Sequence, residues 1–284
     1  MNRTIRASAR ATLLASAFTF AAALPASAAY LMPDYSTVPT GWSTDRYAPN
    51  SFSNVGSYQG DNNVLGIGIS NADGYANRPA AYQSTFYNTQ GMGYTITGSS
   101  GDTLQADLYV PNSWNDPTLG ARRTGMWGVM TNGSPTITGY PIIGFTNNDL
   151  TGDGFVGFRV WNDTLGQWVN LTGSPDAVKY NAWNKLAINF TGTDYQYFVN
   201  GNFAFDIGAA PGTSNFSEVI MQAYNFDDPT LTGSPVANDY TAYWANDPAA
   251  GSAVPEPASL SLLSVGLLGV LAVRRRRIGT AATA

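Results

Sequence analysis

Carboxylates are the main side chains able to carry out chemistry in this chain of 284 residues, which has 17 Asp, 2 Glu and neither Cys nor His. This composition excludes disulfides, zinc sites built from thiolate or imidazole, and Ser-His-Asp or Cys-His nucleophilic systems. Two kinds of chemistry remain open to the carboxylates. A pair of them can hydrolyse a glycosidic bond, and a cluster of them can coordinate calcium.

A hydrolytic pair has few candidates in this sequence. Glu218 is the only Glu in residues 30–253, and no acidic residue alternates with it along its segment. Asp227 and Asp228 are adjacent, and adjacent residues of a strand point to opposite faces, so we expect a loop tip there rather than a shared site. We therefore expect a protein that is not an enzyme. An Asp-dependent enzyme acting on polysaccharide is the alternative hypothesis.

Calcium is the one cofactor for which the sequence offers a candidate site. Residues 147–154 resemble the first half of an Asp-x-Asn-x-Asp-Gly calcium loop. Oxygen-bearing side chains occupy its alternate positions: Asn147, Asp149, Thr151 and Asp153. The twelfth position of such a loop supplies a bidentate carboxylate, and here it is Val160. A polar turn between two strands is the alternative interpretation, which the missing ligand favours.

Aromatic side chains are the candidates for contact with a sugar, because their rings stack on apolar sugar faces. Most of the seven Trp lie in or near predicted strands, where core packing explains them. Trp114 lies in a loop with polar neighbours and is the best candidate for an exposed Trp. Tyr75 and Arg78 form a second candidate contact loop. The adjacent Arg122 and Arg123 either pair with Asp or contact an acidic polysaccharide.

The charge of the chain limits its partners. Residues 30–253 hold 7 basic and 18 acidic side chains, a net charge of −11. Such a body is repelled by DNA and by anionic lipid, so we expect no nucleic-acid partner.

The residues between the two ends alternate with the period of β-strands. Leu186, Ile188 and Phe190 alternate with smaller or polar residues, and Asn200-Gly201 is a typical type I′ hairpin sequence. About a dozen such segments follow one another, and none has a sustained helical period. The sequence predicts an all-β fold, an antiparallel two-sheet jelly-roll sandwich over residues 30–245.

A Trp before a strand, Trp183, and the Asn200-Gly201 hairpin after it resemble the concanavalin A-like and laminin-G-like lectin domains. The resemblance implies the same jelly-roll sandwich and suggests sugar binding. Glucanases of that superfamily carry a Glu-x-Asp-x-Glu strand motif, which this sequence lacks.

Residues 1–29 have the order of a secretory signal peptide. Three arginines precede an apolar run over residues 11–24, and the small residues Ala26 and Ala28 follow it at a cleavage site. A buried amphipathic helix is the alternative, but the run has no polar face. We expect a helical signal that is read by Sec-type export machinery.

The other end of the chain is also organised as a sorting signal. After a linker at residues 246–253, Pro255, Glu256 and Pro257 precede an apolar run over residues 258–273. As a helix this run spans about 24 Å. Four arginines follow it, and they can reach the polar headgroups to make up the thickness of the bilayer: Arg274, Arg275, Arg276 and Arg277. The pattern predicts a transmembrane helix with its arginines in the cytoplasm.

These features of residues 254–278 resemble the PEP-CTERM sorting signal of Gram-negative bacteria. The resemblance implies cleavage by an exosortase-type membrane protease, an inner-membrane intermediate, and a final location at the cell surface or in the extracellular matrix. It also implies an association with exopolysaccharide and biofilm. A permanent single-helix anchor is the alternative. The sequence thus favours an exported, non-catalytic protein that binds glycan or serves as a structural element.

Overall fold

A computed structural model of the chain describes residues 28–134, 136–148, 154–173, 177–235 and 238–246. The predicted sorting helix and nearly all of the predicted signal peptide and linker lie outside these residues. No helix in the described part is long and apolar enough to cross a membrane.

The described residues form strands and short 3-10 helices, and they include no α-helix. The strands have these bounds: Tyr30–Leu31 (β1), Trp42–Thr44 (β2), Ser51–Asn54 (β3), Leu65–Ile69 (β4), Thr89–Gly98 (β5), Thr103–Val110 (β6), Arg123–Thr131 (β7), Ile137–Gly139 (β8), Ile142–Thr146 (β9), Gly157–Asn162 (β10), Gln167–Asn170 (β11), Ala182–Phe190 (β12), Asp194–Val199 (β13), Asn202–Gly208 (β14), Asn215–Tyr224 (β15) and Tyr240–Ala245 (β16). The 3-10 helices are Asn71–Asp73, Tyr75–Asn77, Ala80–Tyr82, Thr85–Asn88, Asn112–Asn115 and Pro117–Leu119.

The strands form two sheets of eight. The first sheet has the order β14-β13-β12-β6-β16-β4-β3, with β1 paired to β6. The second has the order β11-β10-β9-β7-β15-β5-β2, with β8 paired to β7. All strand pairs are antiparallel except β1 with β6. The predicted all-β, antiparallel, two-sheet sandwich is therefore confirmed.

One apolar core lies between the sheets. Leu186, Ile188 and Phe190 of β12 are fully buried, as their alternation predicts. The Phe190 ring lies 6.3 Å from the ring of Phe216 on β15, edge to face, and so joins the first sheet to the second. Burial of such alternating side chains from both sheets is what stabilises a sandwich.

Both ends of the sandwich belong to the first sheet. β1 pairs with β6 at Tyr30 and Thr103, and β16 pairs with another part of β6. The side-chain amide of Asn246 donates a hydrogen bond to the backbone carbonyl of Pro33. The chain therefore enters and leaves the sandwich through the same sheet.

The Asn200-Gly201 turn between β13 and β14 has the predicted backbone, with φ of 53° at Asn200 and 82° at Gly201. A side chain at Gly201 would meet no atom within 4 Å, and the same is true at Gly208 at the end of β14, where φ is not positive. We expect Gly201→Ala to lower the free energy of unfolding by about 1–2 kcal/mol, because Ala disfavours positive φ. Gly208→Ala is the matched control and should not lower it. Urea unfolding of both variants tests this, and equal stability of the two would contradict it.

Candidate functional site

A second apolar cluster lies on the outer face of the second sheet, separate from the core. Its members pair directly across neighbouring strands, and paired residues point to the same face. They form one row across β11, β10, β9, β7 and β15, which we call the aromatic row: Trp168, Trp161, Ile142, Trp127 and Ile220. Trp161 and Trp168 meet edge to face with ring centroids 5.4 Å apart. Trp161 and Trp168 are only partly buried, so part of each residue is accessible to solvent.

The next row of this outer face lacks side chains at three positions. Gly144 of β9 pairs with Gly125 of β7, which pairs with Gln222 of β15, which pairs with Gly91 of β5. A Cβ at Gly91 would lie 2.5 Å from the Met221 carbonyl oxygen, so the backbone there leaves no room for a side chain. A pocket of about 300 Å³ lies beside the aromatic row, and we call it the trough. Its lining includes residues of the aromatic row together with Thr89, Gln222 and Tyr224.

Two arginines line the pocket of the trough. The guanidinium of Arg46 lies 4.5 Å from the ring centroids of both Trp127 and Phe86. That of Arg123 lies 4.5 Å from the ring of Tyr224, and its Nη2 donates to the carbonyl of Asn148 at 3.0 Å. Stacking of cations on rings is favourable and fixes the guanidinium plane.

Two buried polar atoms of the pocket have no hydrogen-bond partner among the described residues. They are Nε1 of Trp127 and Oε1 of Gln222. The two residues as a whole are 9% and 4% exposed, respectively. A buried polar group without a partner costs about 1–3 kcal/mol. One of these atoms is a donor and the other an acceptor, and each has the hydrogen-bonding capacity to pair with a hydroxyl group.

Two carboxyl groups, those of Asp45 and Glu218, lie outside the trough and near strands β2 and β5. The carboxylate of Glu218 lies over Gly93, and burial raises its pKa, with a further increase from the charge of Asp45. Burial also raises the pKa of Asp45, while Arg46, whose Nε lies 3.4 Å from Asp45 Oδ2, opposes that increase. Alternation along one strand did not reveal this pair, because its members belong to segments far apart in the sequence.

The prediction that Trp114 is exposed is wrong. Its side chain is 4% exposed and packs in the core, with its ring 5.4 Å from that of Phe145 and 6.0 Å from that of Tyr240. The 3-10 helix Asn112–Asn115 turns this Trp inward, although its sequence neighbours are polar. Trp114 therefore does not offer a ring face to a ligand in this structure.

The side chain of Arg78 is also buried, and it forms hydrogen bonds within the protein. It is 2% exposed and donates to the carbonyl of Asp73 at 3.0 Å and to Asn88 Oδ1 at 2.7 Å. Asn88 in turn donates to the carboxylate of Asp228. The expected surface contact by Arg78 is thus wrong for its side chain, which is buried. Tyr75, in the neighbouring 3-10 helix Tyr75–Asn77, is partly buried, and its contact with a ligand stays a prediction.

The Asp227-Asp228 pair does not form a shared site. Asp228 is 1% exposed, and its carboxylate accepts from Asn88 and from the backbone N–H of Thr230 at 2.8 Å. Asp227 is exposed. Both residues lie in the loop that follows β15, with different exposure to solvent.

Of the predicted calcium loop at residues 147–154, the structure describes Asn147, Asn148 and Gly154. Asn147 is buried; its Oδ1 accepts from the N–H of Arg122 at 2.6 Å, and its Nδ2 donates to the carbonyl of Gly120 at 3.1 Å. Asp149, Thr151 and Asp153 lie outside the described residues. Within the described ranges, no three acidic residues are placed to hold a metal ion. Calcium binding by residues 147–154 stays a prediction.

The sequence profile of the PEP-CTERM protein-sorting motif matches residues 253–277. The predicted sorting signal is confirmed, with each end shifted by one residue. This motif implies export, membrane-associated sorting to the cell surface, and processing by exosortase, a membrane protein. No curated protein sequence matches the chain.

Several solved structures resemble this chain in fold. A Bacillus licheniformis β-glucanase is 13% identical, with 75% of this chain and 94% of that chain covered and a TM-score of 0.41. A glycoside hydrolase family 16 endo-glucanase from Bacteroides ovatus is 10% identical, with 75% and 97% covered and a TM-score of 0.43. A carbohydrate-binding module from Bacillus subtilis is 10% identical, with 69% and 94% covered and a TM-score of 0.34. Likeness at this level transfers no activity to this chain.

The raised pKa values of Asp45 and Glu218 predict a pH dependence of stability. Each carboxyl keeps its proton in the folded state to a higher pH than in the unfolded chain, so its contribution to stability falls as pH rises from about 4 through the raised pKa. We expect the double variant Asp45→Asn, Glu218→Gln to gain stability relative to the unmodified chain as pH increases. Urea unfolding between about pH 4 and pH 7 measures the difference. Asp227→Asn, which alters an exposed carboxylate, is the control, and a pH-independent difference for the double variant would contradict the prediction.

Proposed function

We propose that this exported chain binds a glycan in the trough without cleaving it. The observation that carries the proposal is the aromatic row beside a pocket with two buried polar atoms, Trp127 Nε1 and Gln222 Oε1, that have no partner in the described part of the chain. Trp rings offer flat apolar surface for the C–H faces of sugar rings. The two polar atoms offer one donor and one acceptor for sugar hydroxyls.

The shape of the trough supports a chain-like ligand. The aromatic row crosses five adjacent strands, which lie about 4.8 Å apart. The pocket of about 300 Å³ is at the lower end of ligand-pocket volumes, so it suits a short stretch of sugar rings held along an open groove. A polysaccharide can enter such a groove from the side, whereas a closed cavity admits only a free small molecule.

The proposed location follows from the sorting signals. We propose Sec-type export of the body, an inner-membrane intermediate, and exosortase processing near Pro255, Glu256 and Pro257 in a Gram-negative bacterium. The body would then act at the cell surface or in an extracellular matrix that contains exopolysaccharide and supports a biofilm. There it would act by holding polysaccharide or as a structural element.

Truncation of a ring in the aromatic row tests glycan binding. We expect Trp168→Ala to weaken binding by about ten-fold or more, because it removes a stacking surface at the accessible end of the row. Phe203→Ala is the matched control, since Phe203 is 53% exposed and lies on the edge strand of the first sheet. A glycan array that presents neutral and acidic polysaccharides to the full chain measures binding. Unchanged binding by Trp168→Ala, or no binding by the unmodified chain, would contradict the proposal.

The pair Glu218 and Asp45 favours a second candidate function, glycoside hydrolysis. Catalysis of this kind needs one protonated and one ionised carboxyl group. Burial raises the pKa of both groups. The charge of Asp45 adds to the increase at Glu218, whereas Arg46 opposes the increase at Asp45. In this hypothesis Glu218 is the acid and Asp45 the base or nucleophile.

Release of reducing ends distinguishes the two functions. For a binding protein we expect none from any polysaccharide that the chain binds, and the same result for Glu218→Gln. Sugar release by the unmodified chain that falls by about 100-fold or more in Glu218→Gln would establish hydrolysis instead, since general acid catalysis contributes that much. Asp163→Asn serves as the control, because the Asp163 carboxylate accepts from the Tyr140 N–H at 2.7 Å and also has a raised pKa, owing to desolvation.

A further inference from the structure

The charge of the trough differs from the charge of the body around it. Residues 30–253 hold 18 acidic and 7 basic side chains. The described residues that line the pocket nevertheless include two arginines, Arg46 and Arg123, and no carboxylate. A third guanidinium, that of Arg159, lies 4.0 Å from the ring centroid of Trp168 in the aromatic row. Asp45, beside Arg46, offsets one of these three charges.

The arginines of the pocket lie against aromatic rings. The guanidinium carbon of Arg46 lies 4.5 Å from the ring centroids of both Trp127 and Phe86, and that of Arg123 lies 4.5 Å from the centroid of Tyr224. Stacking occupies the face of the group, whereas its N–H bonds lie in the plane and point outward from its edge. An edge of this kind donates two parallel hydrogen bonds to a carboxylate. Partial burial strengthens the interaction, because water screens it less.

We propose that the trough selects glycans that carry carboxylate groups, as polymers of uronic acids do. This inference rests on the proposed glycan binding and names the class of the ligand. The aromatic row contacts the faces of the sugar rings, and the guanidinium edges of Arg46 and Arg123 contact the carboxylates. A neutral glycan makes the first set of contacts and not the second.

Paired polysaccharides test the inference directly. Polygalacturonate, polymannuronate and polyglucuronate are each compared with their carboxyl-reduced, neutral forms, using the full chain in detergent and titration calorimetry. We expect at least one polyuronate to bind about ten-fold or more tightly than its neutral form, the effect of one charge-assisted hydrogen bond. Added salt should reduce that preference and leave binding of the neutral form unchanged.

Charge-removing variants assign the preference to the trough. Arg46→Gln should lose most of the preference for the polyuronate, whereas Lys179→Gln, an exposed basic residue next to the first sheet, should keep it. Arg123→Lys keeps the charge but loses the planar edge, and it should weaken polyuronate binding even if Arg46→Gln fails to fold. Thermal melting of each variant checks folding.

The outcomes separate the two proposals. Equal or tighter binding of the neutral forms overturns carboxylate selection and leaves glycan binding standing. A preference retained in full by both arginine variants also overturns it, because the selection would then lie elsewhere. No binding to any member of any pair counts against glycan binding itself.

Discussion

The register of β7 against β9 and β15 is the constraint on which the trough depends. It aligns Gly144, Gly125 and Gln222 in one row and Ile142, Trp127 and Ile220 in the next. A shift of one residue would exchange the two faces of β7, sending Trp127 into the core and Met126 to the outside. The core fixes this register, because Met126, Ile143 and Met221 must all point inward. Packing between the sheets thus determines where the outer rings lie.

Apolar side chains on both faces of the second sheet explain why its central strands are buried throughout. Every residue of β7 is buried, although only half of them face the core. The other half are covered by side chains of the outer face, among them Arg46 and Tyr140. Antiparallel sheets commonly leave one face to water, and this sheet instead carries a second apolar layer. An apolar layer on an outer face lowers solubility, and folding alone does not require it. Its presence is therefore consistent with a binding surface.

Sequence patterns revealed most of the sandwich and little of its site. The alternation in β12 and the Asn200-Gly201 turn predict the central hairpins. β1, β2, β3 and β8 were not predicted, because two to four residues are too short to show a period. In β7 both Met126 and Trp127 are apolar, so alternation cannot say which one faces the core. The prediction for Trp114 was wrong for a related reason. Polar neighbours in the sequence do not determine whether a residue in a 3-10 turn points into the core or toward solvent.

The placement of the two chain ends has a consequence for orientation. The first and last strands of the sandwich both pair with β6, and Asn246 is bonded to Pro33 beside them. The trough lies on the opposite broad side of the molecule, since it belongs to the second sheet. The described chain therefore ends at the first sheet, and the trough lies on the second. Many copies held on one surface would place many troughs near one another. A long polymer that bound several troughs at once would then be retained by avidity, even if its affinity for each trough were low.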